Sequence, residues 1–440
     1  MKEARKRIIN RRQFLTDAAK TVGAALALPT IISSKALGGK GGVAASDKIV
    51  FGTIGIGGRG GQDLRTLMQN NDAVVIAHCN CYRRGRESVK ATIDAQYGSD
   101  IPTYIDFREL LARQDIDAVL STTGDKNHAM IAVHAMRAGK DLYSEKPGSM
   151  TIQEGQAVVE TQNRYGRVFQ SGAQRMNESN FIFANELVRL GKLGEVKVFV
   201  AELATIGSSP YMNFPTHVAD APEPPKEEFW WDAWLGANPW MPYATRFAGA
   251  GHSNGYGYVF LYNGNIGEWG SHTHPQALDA MQSTNTGPTD IIFPNNNNGE
   301  GLRLIFAGGK EMVLRQGLTP RQCAVQYEGS EGWVGVGDGG LEVKPPSLMA
   351  EYNKIVNDFR EREQRRGDHM RNLLDCIKSR RLTACNAEVM HRSMSTVHLA
   401  NISMWLKRDL KWDPVKEEFI GDEAANRLRS RAQREPWAFV

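Results

Sequence analysis

The residues Gly55-Ile56-Gly57-Gly58-Arg59-Gly60 follow directly on an apolar run and precede a stretch with helical spacing. In that setting a GxGxxG pattern is chemistry for a diphosphate. The first glycine allows a tight turn, the second lets a pyrophosphate come against backbone, and the third lets helix pack on strand, while free N–H groups at the helix start face the phosphates. A site of this kind for NAD ends its second strand with Asp or Glu, whose carboxylate accepts both ribose hydroxyls. Here that position, 23 residues beyond Gly57, is Asn80, followed by Arg83 and Arg84. An amide carries no charge to repel a 2′-phosphate and a guanidinium pairs with one, which favours NADP over NAD. The plainer alternative makes both arginines the solvated face of a helix.

Two further clusters are Thr123-Gly124-Asp125-Lys126-Asn127-His128-Ala129 and Tyr143-Ser144-Glu145-Lys146-Pro147. The elements that must position them alternate. Apolar runs predict strands at 48–54, 73–79, near 104, at 118–122 and at 141–144, with helices over 59–69, 83–97, 107–113 and 127–138 between them. Short connections of this kind read as right-handed parallel crossovers with helices on both faces. Both clusters then fall at carboxyl ends of parallel strands, where open α/β sheets put their ligands. Asp125 and His128 either cap the following helix or touch the cofactor. After about residue 174 the texture changes to a helix at 181–190, a strand at 196–201, and a loop-rich segment, 205–267, with many aromatics and prolines. Strands at 302–307 and 311–315 follow, then helices around 373–378 and 387–406. The organisation predicted is a leader and linker over 1–45, a dinucleotide-binding domain over 46–173, an α+β domain over 174–410 and a tail over 411–440.

In order and spacing the glycine loop, the Asp125-x-x-His128-Ala129 segment and Glu145-Lys146-Pro147 resemble the Gfo/Idh/MocA oxidoreductases. The likeness continues through Tyr165-Gly166-Arg167, Gln174-Arg175, residues 234–240, Glu268-Trp269-Gly270-Ser271-His272, His391-Arg392-Ser393 and Lys411-Trp412-Asp413-Pro414, and so covers essentially everything after the leader. It implies an N-terminal Rossmann domain and an α+β domain with an open-faced mixed sheet, used for association into a homodimer or homotetramer. It also implies a catalytic Lys146 close to nicotinamide and the reacting hydroxyl, with Glu268 and His272 as the polar pair across the substrate. The chemistry is coherent. Hydride leaves a secondary alcohol carbon as its hydroxyl proton is removed, so a base and a cation must flank that oxygen. Neutral His272 takes the proton, Lys146 stabilises the developing alkoxide, and Glu268, four residues earlier, orients the imidazole. Candidate cofactor contacts are Gly55, Gly57, Gly58, Arg59, Gly60, Asn80, Arg83, Arg84, Thr123, Asp125, His128, Glu145 and Lys146. Glu268 stands where the family has Asp, Pro275 where many relatives have another Asp, and Ser144 where Cys or Val is frequent. None of these removes a catalytic group, and together they weigh against naming one sugar.

Candidate substrate contacts are Arg175, Trp234, Tyr256, Tyr258 and His274. Each has a plainer reading: Arg175 as a surface residue, the aromatics as loop packing. His272-x-His274 lacks a clear third partner, so no metal is expected. Cys79 and Cys81 alternate on an apolar strand and read as packing residues.

At 440 residues and 41% apolar content the chain can bury full cores, and five cysteines cannot form a complete disulfide framework. Before Ala45 nine Lys and Arg stand against two Asp and Glu; the remainder carries 44 against 47, a net of −3. The basic excess lies in the leader, which argues against a nucleic-acid partner. No run reaches the ~20 apolar residues of a membrane-spanning helix. The leader itself places Arg5, Lys6 and Arg7 before Arg11-Arg12-Gln13-Phe14-Leu15 and a mildly apolar stretch, the layout of a twin-arginine bacterial export signal, which predicts a periplasmic or secreted protein. Tat substrates cross folded, so a cofactor can be loaded beforehand. Free nicotinamide cofactor is not expected outside, so it should be tightly bound and regenerated in place. The leading expectation is therefore a sugar oxidoreductase with bound NADP or NAD. Alternatives are an NAD-dependent glycoside hydrolase working by transient oxidation, elimination, hydration and re-reduction, and a non-catalytic sugar-binding protein on the same fold.

Overall fold

The computed structural model describes residues 47–203, 221–245, 261–320 and 322–440; the leader, Tyr256 and Tyr258 lie outside them. The first sheet is six-stranded and parallel. It contains β1 (Ile49–Ile54), β2 (Ala73–Cys79), β3 (Thr103–Tyr104), β4 (Ala118–Ser121), β5 (Asp141–Ser144) and β6 (Phe169–Ser171), in the order β3-β2-β1-β4-β5-β6. The order reverses at β1, which opens a crevice at the carboxyl ends of β1 and β4. Central strands covered on both faces must be apolar throughout, and β4 is buried along its whole length. The crossovers are α1 (Gly58–Met68), α2 (Arg83–Tyr97), α3 (Phe107–Leu111), α4 (Asp125–Arg137) and α5 (Ile152–Tyr165). Neither α5 nor β6 is evident from the sequence pattern. The helix is fixed by Thr151, whose hydroxyl accepts from Glu154 N, while Glu154 Oε2 accepts from Met150 N.

After α6 (Ser179–Arg189) comes a nine-stranded mixed sheet. Its strands are β7 (Val196–Glu202), β8 (Asp290–Ile292), β9 (Arg303–Ile305), β10 (Glu311–Arg315), β11 (Val325–Gly329), β12 (Trp333–Gly337), β13 (Gly340–Lys344), β14 (Leu410–Asp413) and β15 (Glu418–Phe419), with α7 (Trp231–Leu235) in the aromatic segment. The β7–β10 pairing is parallel and the rest are antiparallel. α8 (Gly264–Ala280), α9 (Tyr352–Arg362), α10 (His369–Ser379), α11 (Ala387–Leu406) and α12 (Glu423–Arg427) complete the chain. Phe199, Met312, Tyr327 and Val334 from this sheet share one apolar core with Met130 of α4 and Leu278 of α8.

α8 carries the histidine motif, and the sequence does not announce it as a helix. Three glycines and Pro275 lower its intrinsic propensity; packing on α11 overrides this. A Cβ at Gly267 would press on Asn263, and one at Gly270 would crowd Val397 of α11.

The last residues fold back over both domains. Arg431 Nε donates to Glu154 Oε1 at 2.6 Å and Nη1 to Asn238 Oδ1 at 2.5 Å, Arg434 pairs with Asp232, and Trp437 Nε1 donates to Asp232 Oδ2 at 3.0 Å. Both members of the Arg431–Glu154 pair are under one-tenth exposed. Arg431→Ala leaves a buried carboxylate uncompensated and should destabilise the fold by about 3 kcal/mol or more, read from chemical denaturation midpoints.

Candidate active site

The turn after β1 realises the three glycine roles separately. Gly55 has φ +67°, and a Cβ there would collide with Thr123. A Cβ at Gly60 would strike Thr122 Oγ1, so this glycine is where α1 packs against the loop after β4. At Gly57 and Gly58 a Cβ would meet nothing within 4 Å. Those two positions form an open backbone cradle. Gly57 is the N-cap of α1 and no side chain caps it, so the helix's first N–H groups stay available to an anion. Across the turn, Thr123 Oγ1 is buried with no hydrogen-bond partner among the described residues. These features fit a pyrophosphate.

At the end of β2, Asn80 Oδ1 accepts from Tyr82 N at 3.0 Å, and its carbonyl accepts from Arg86 Nη1 at 2.7 Å. Arg86, which the sequence pattern did not single out, also donates to Glu227 O. Arg83 is drawn to Glu228 at 3.0 Å, while Arg84 is exposed. Trp234 is already covered: Trp231 stacks on it at 4.6 Å and the buried Lys126 ammonium sits 3.6 Å from its ring centre. The expected sugar-stacking role is therefore replaced by packing.

The loop after β4 enters α4 two residues earlier than expected, with Gly124 as N-cap, so Asp125 is inside the helix and does not cap it. Its Oδ2 instead accepts from Asn263 N at 3.3 Å, just before α8. Asn263 is a junction: its amide donates to Ser149 O, and its carbonyl accepts from Asn401 of α11. His128 does not face the cradle either. Its two ring nitrogens lie 2.9 Å from Thr123 O and 2.8 Å from Pro147 O, tying the loop after β4 to the one after β5.

Lys146 reaches across to α8, donating to Glu268 Oε1 at 3.0 Å and more weakly to the Glu268 carbonyl at 3.4 Å. Glu268 Oε2 accepts from Tyr262 at 2.8 Å. Its carboxylate is thus turned to Lys146 and Tyr262, and the expected orientation of His272 by Glu268 is not what holds the ring. His272 is 7% exposed, and its Nδ1 has no hydrogen-bond partner among the described residues. Burial first, then the charges of Arg175, Lys146 and Arg59, hold its proton affinity well below the ordinary imidazole range. His272 is neutral at physiological pH. Among the described residues, Tyr262, six residues before Glu268, brings a tyrosine hydroxyl to this site; nothing in the spacing favours it over Tyr256 and Tyr258.

Arg175 is a buttress. It makes a two-pronged pair with Asp338 in the β12–β13 turn at 2.7 and 2.5 Å. His274 is fully buried and hydrogen-bonds Thr396 of α11 at 2.8 Å, so it belongs to the helix interface and not to a substrate surface. Glu145, beside Lys146, accepts from Gln174 at 2.6 Å and from Lys146 N, and feels the charge of Asp63 of α1. Burial raises both carboxyls, and the Asp63 charge lifts Glu145 further. Arg59 pairs with Asp63 at 3.1 Å. Cys79 is buried, its thiol pushed up by burial. Among the described residues, no three His, Cys, Asp or Glu side chains are grouped to hold a metal, and no helix is long and apolar enough to cross a membrane.

Residues 49–173 match the oxidoreductase family's NAD-binding Rossmann fold, and residues 184–439 match its C-terminal alpha/beta domain. The chain belongs to the Gfo/Idh/MocA oxidoreductase family. Among curated relatives of this family member are an inositol 2-dehydrogenase of Salmonella paratyphi B, 30% identical over 146 residues, 33% of this chain and 42% of that protein. A glycosyl hydrolase family 109 protein of Shewanella is 29% identical over 168 residues, 34% of each. The chain therefore spans under half the length of these relatives. Among solved structures, an aldose-aldose oxidoreductase from Caulobacter crescentus superposes with a TM-score of 0.55 at 16% identity, covering 83% of this chain and 99% of that one. The WlbA dehydrogenase from Chromobacterium violaceum, solved with NADH and UDP-GlcNAcA, gives 0.57 at 14%, covering 84% and 98%. At such identities the likeness speaks for the fold.

The glycine loop gives a paired test. Gly60→Ala should destabilise the fold by roughly 1–3 kcal/mol through overpacking against Thr122. Gly57→Ala should leave the denaturation midpoint nearly unchanged but remove at least one charge-assisted phosphate contact, weakening reduced dinucleotide binding about 10- to 100-fold in a fluorescence titration.

Proposed function

We propose that this protein is an exported oxidoreductase that moves hydride between a tightly held nicotinamide dinucleotide and a secondary hydroxyl of a sugar or sugar derivative. The observation that carries the reading is the Lys146–Glu268 pair at the carboxyl end of β5, beside a neutral, buried His272. The cradle at Gly57 and Gly58 with the uncapped start of α1 fits the dinucleotide's diphosphate. The uncharged Asn80 and the exposed Arg84 favour NADP; NAD is the alternative. When bound, the dinucleotide supplies reversible hydride acceptance.

The protein's own groups do the rest. Lys146 presents an ammonium to the substrate oxygen and stabilises negative charge as the O–H bond breaks. Glu268 holds that ammonium from the other domain and, with Tyr262, fixes its direction. Neutral His272 is the proton acceptor; the cations around it make the imidazolium a strong acid, ready to return the proton in the reverse direction. Arg175, locked to Asp338, contributes field and shape.

The similarity to glycosyl hydrolase family 109 proteins supports a second reading, in which transient oxidation labilises a glycosidic bond and the net redox change is zero. Lys146→Ala and His272→Ala should each lower turnover ~100-fold or more, measured on a panel of sugars and aryl glycosides. Accumulating reduced cofactor with free sugars supports the first reading; aglycone release without it selects the second. Full activity in Lys146→Ala contradicts both. Cofactor released on denaturing the purified protein, identified by mass, reports NADP or NAD.

A further inference from the structure

Asp125 stands out among the buried ionisable groups because the proposed reaction gives it no task. It is 3% exposed, and its Oδ2 accepts a long bond from the N–H of Asn263, the residue after Tyr262, whose hydroxyl donates to the Glu268 carboxylate that pairs with Lys146. The charged groups facing it come from three elements: Glu268 on α8, Lys146 after β5, and Lys126 beside it on α4. One carboxylate, Glu268, thus binds the Lys146 ammonium directly, and the second, Asp125, lies one backbone hydrogen bond away through Asn263. This cluster sits at the tips of β4 and β5. In a sheet of order 3-2-1-4-5-6 those strands belong to the second mononucleotide half, the nicotinamide half once the diphosphate lies on the β1 turn.

Resting on the reading above, we infer that Asp125 ties the charge of the Lys146–Glu268 cluster to the redox state of the bound cofactor, taking up a proton when the cofactor is reduced and releasing it on oxidation. Asp125 acts through this cluster and is a charge-setting residue. With Asp125 ionised and the Lys126 ammonium engaged on the Trp234 ring, Asp125, Glu268 and Lys146 together carry a net negative charge, which complements an oxidised, cationic nicotinamide ring. With Asp125 neutral the cluster carries no net charge and suits the reduced, uncharged ring. The balance closes. The alcohol carbon gives a hydride with its electron pair to the cofactor, the alcohol O–H breaks with its proton going to His272, and when the strongly acidic imidazolium gives that proton up the protein holds one as the Asp125 carboxyl O–H instead of leaving it in water. Burial first, then the Glu268 charge, lift the Asp125 carboxyl to about 7, against the opposing pull of Lys146, so it exchanges its proton near neutrality.

The test is a redox titration of the full-length protein saturated with cofactor, mediated by dyes and followed by reduced-nicotinamide absorbance between pH 5.5 and 8.5. Hydride chemistry alone takes up one proton per two electrons. The parent protein is expected to take up more than one in a window around neutral pH, and Asp125→Asn one at every pH. Identical proton counts in parent and variant overturn the inference, as does a parent that takes up one proton throughout. Should Asp125→Asn not fold, Asp125→Glu is read instead, with a displaced window expected and an unmoved one contradicting the assignment. Failure of the parent to bind either nicotinamide dinucleotide overturns the functional reading itself, and this inference with it, an outcome distinct from normal binding with equal proton counts.

Discussion

The site depends on an ammonium and a carboxylate that meet across two sheets. Lys146 comes from the tip of β5 and Glu268 from the second turn of α8, and each side chain is between one-tenth and one-seventh exposed. Neither charge is comfortable at such burial alone; removing one member of a buried pair costs about 3–5 kcal/mol because the other is stranded. The pair is therefore a constraint that fixes α8 against the dinucleotide-binding sheet and, on the proposed function, the arrangement that meets the substrate oxygen. Asn263, bonded to Asp125, Ser149 and Asn401 at the start of α8, holds the backbone at the same junction.

Around that pair, burial pushes His272, Asp125 and Glu145 toward their uncharged forms, and neighbouring charges add to or oppose it. Burial and then the surrounding cations lower His272, while burial and then the Glu268 charge raise Asp125. Glu145 and Asp63 are both raised by burial, with Arg59 paired to Asp63. The result is a site with a neutral base, a fixed cation and carboxyls of graded affinity, which suits reversible transfer of a proton together with a hydride.

Much of the first domain was legible in the sequence because its signals are local. Gly55, Gly57 and Gly60 serve distinct backbone needs within one turn, and the strands are continuous apolar runs. The family resemblance carried Lys146, Glu268 and His272 to the site, but not their partners. Glu268 bonds Lys146, 122 residues away, and not His272, one turn away, because the buried ammonium needs the charge more than the imidazole does. Arg175 meets Asp338 over 163 residues, and no spacing rule reaches that far. α8 hid behind its own glycines and proline, which single-residue propensity reads as loop, and with it went the burial of His274 and the nearness of Tyr262. Asp125 passed for a helix cap because the helix begins one residue sooner than a cap there would require.

The most direct measurement follows hydrogen itself. Sugars carrying deuterium on single ring carbons are incubated with the protein and its bound cofactor, and the cofactor is then released and weighed. If hydride passes from a secondary alcohol carbon to nicotinamide beside Lys146, one labelled position places deuterium on the nicotinamide ring, and Lys146→Ala slows that transfer sharply. Cofactor that stays unlabelled with every sugar, or labels equally fast in the variant, would contradict the account.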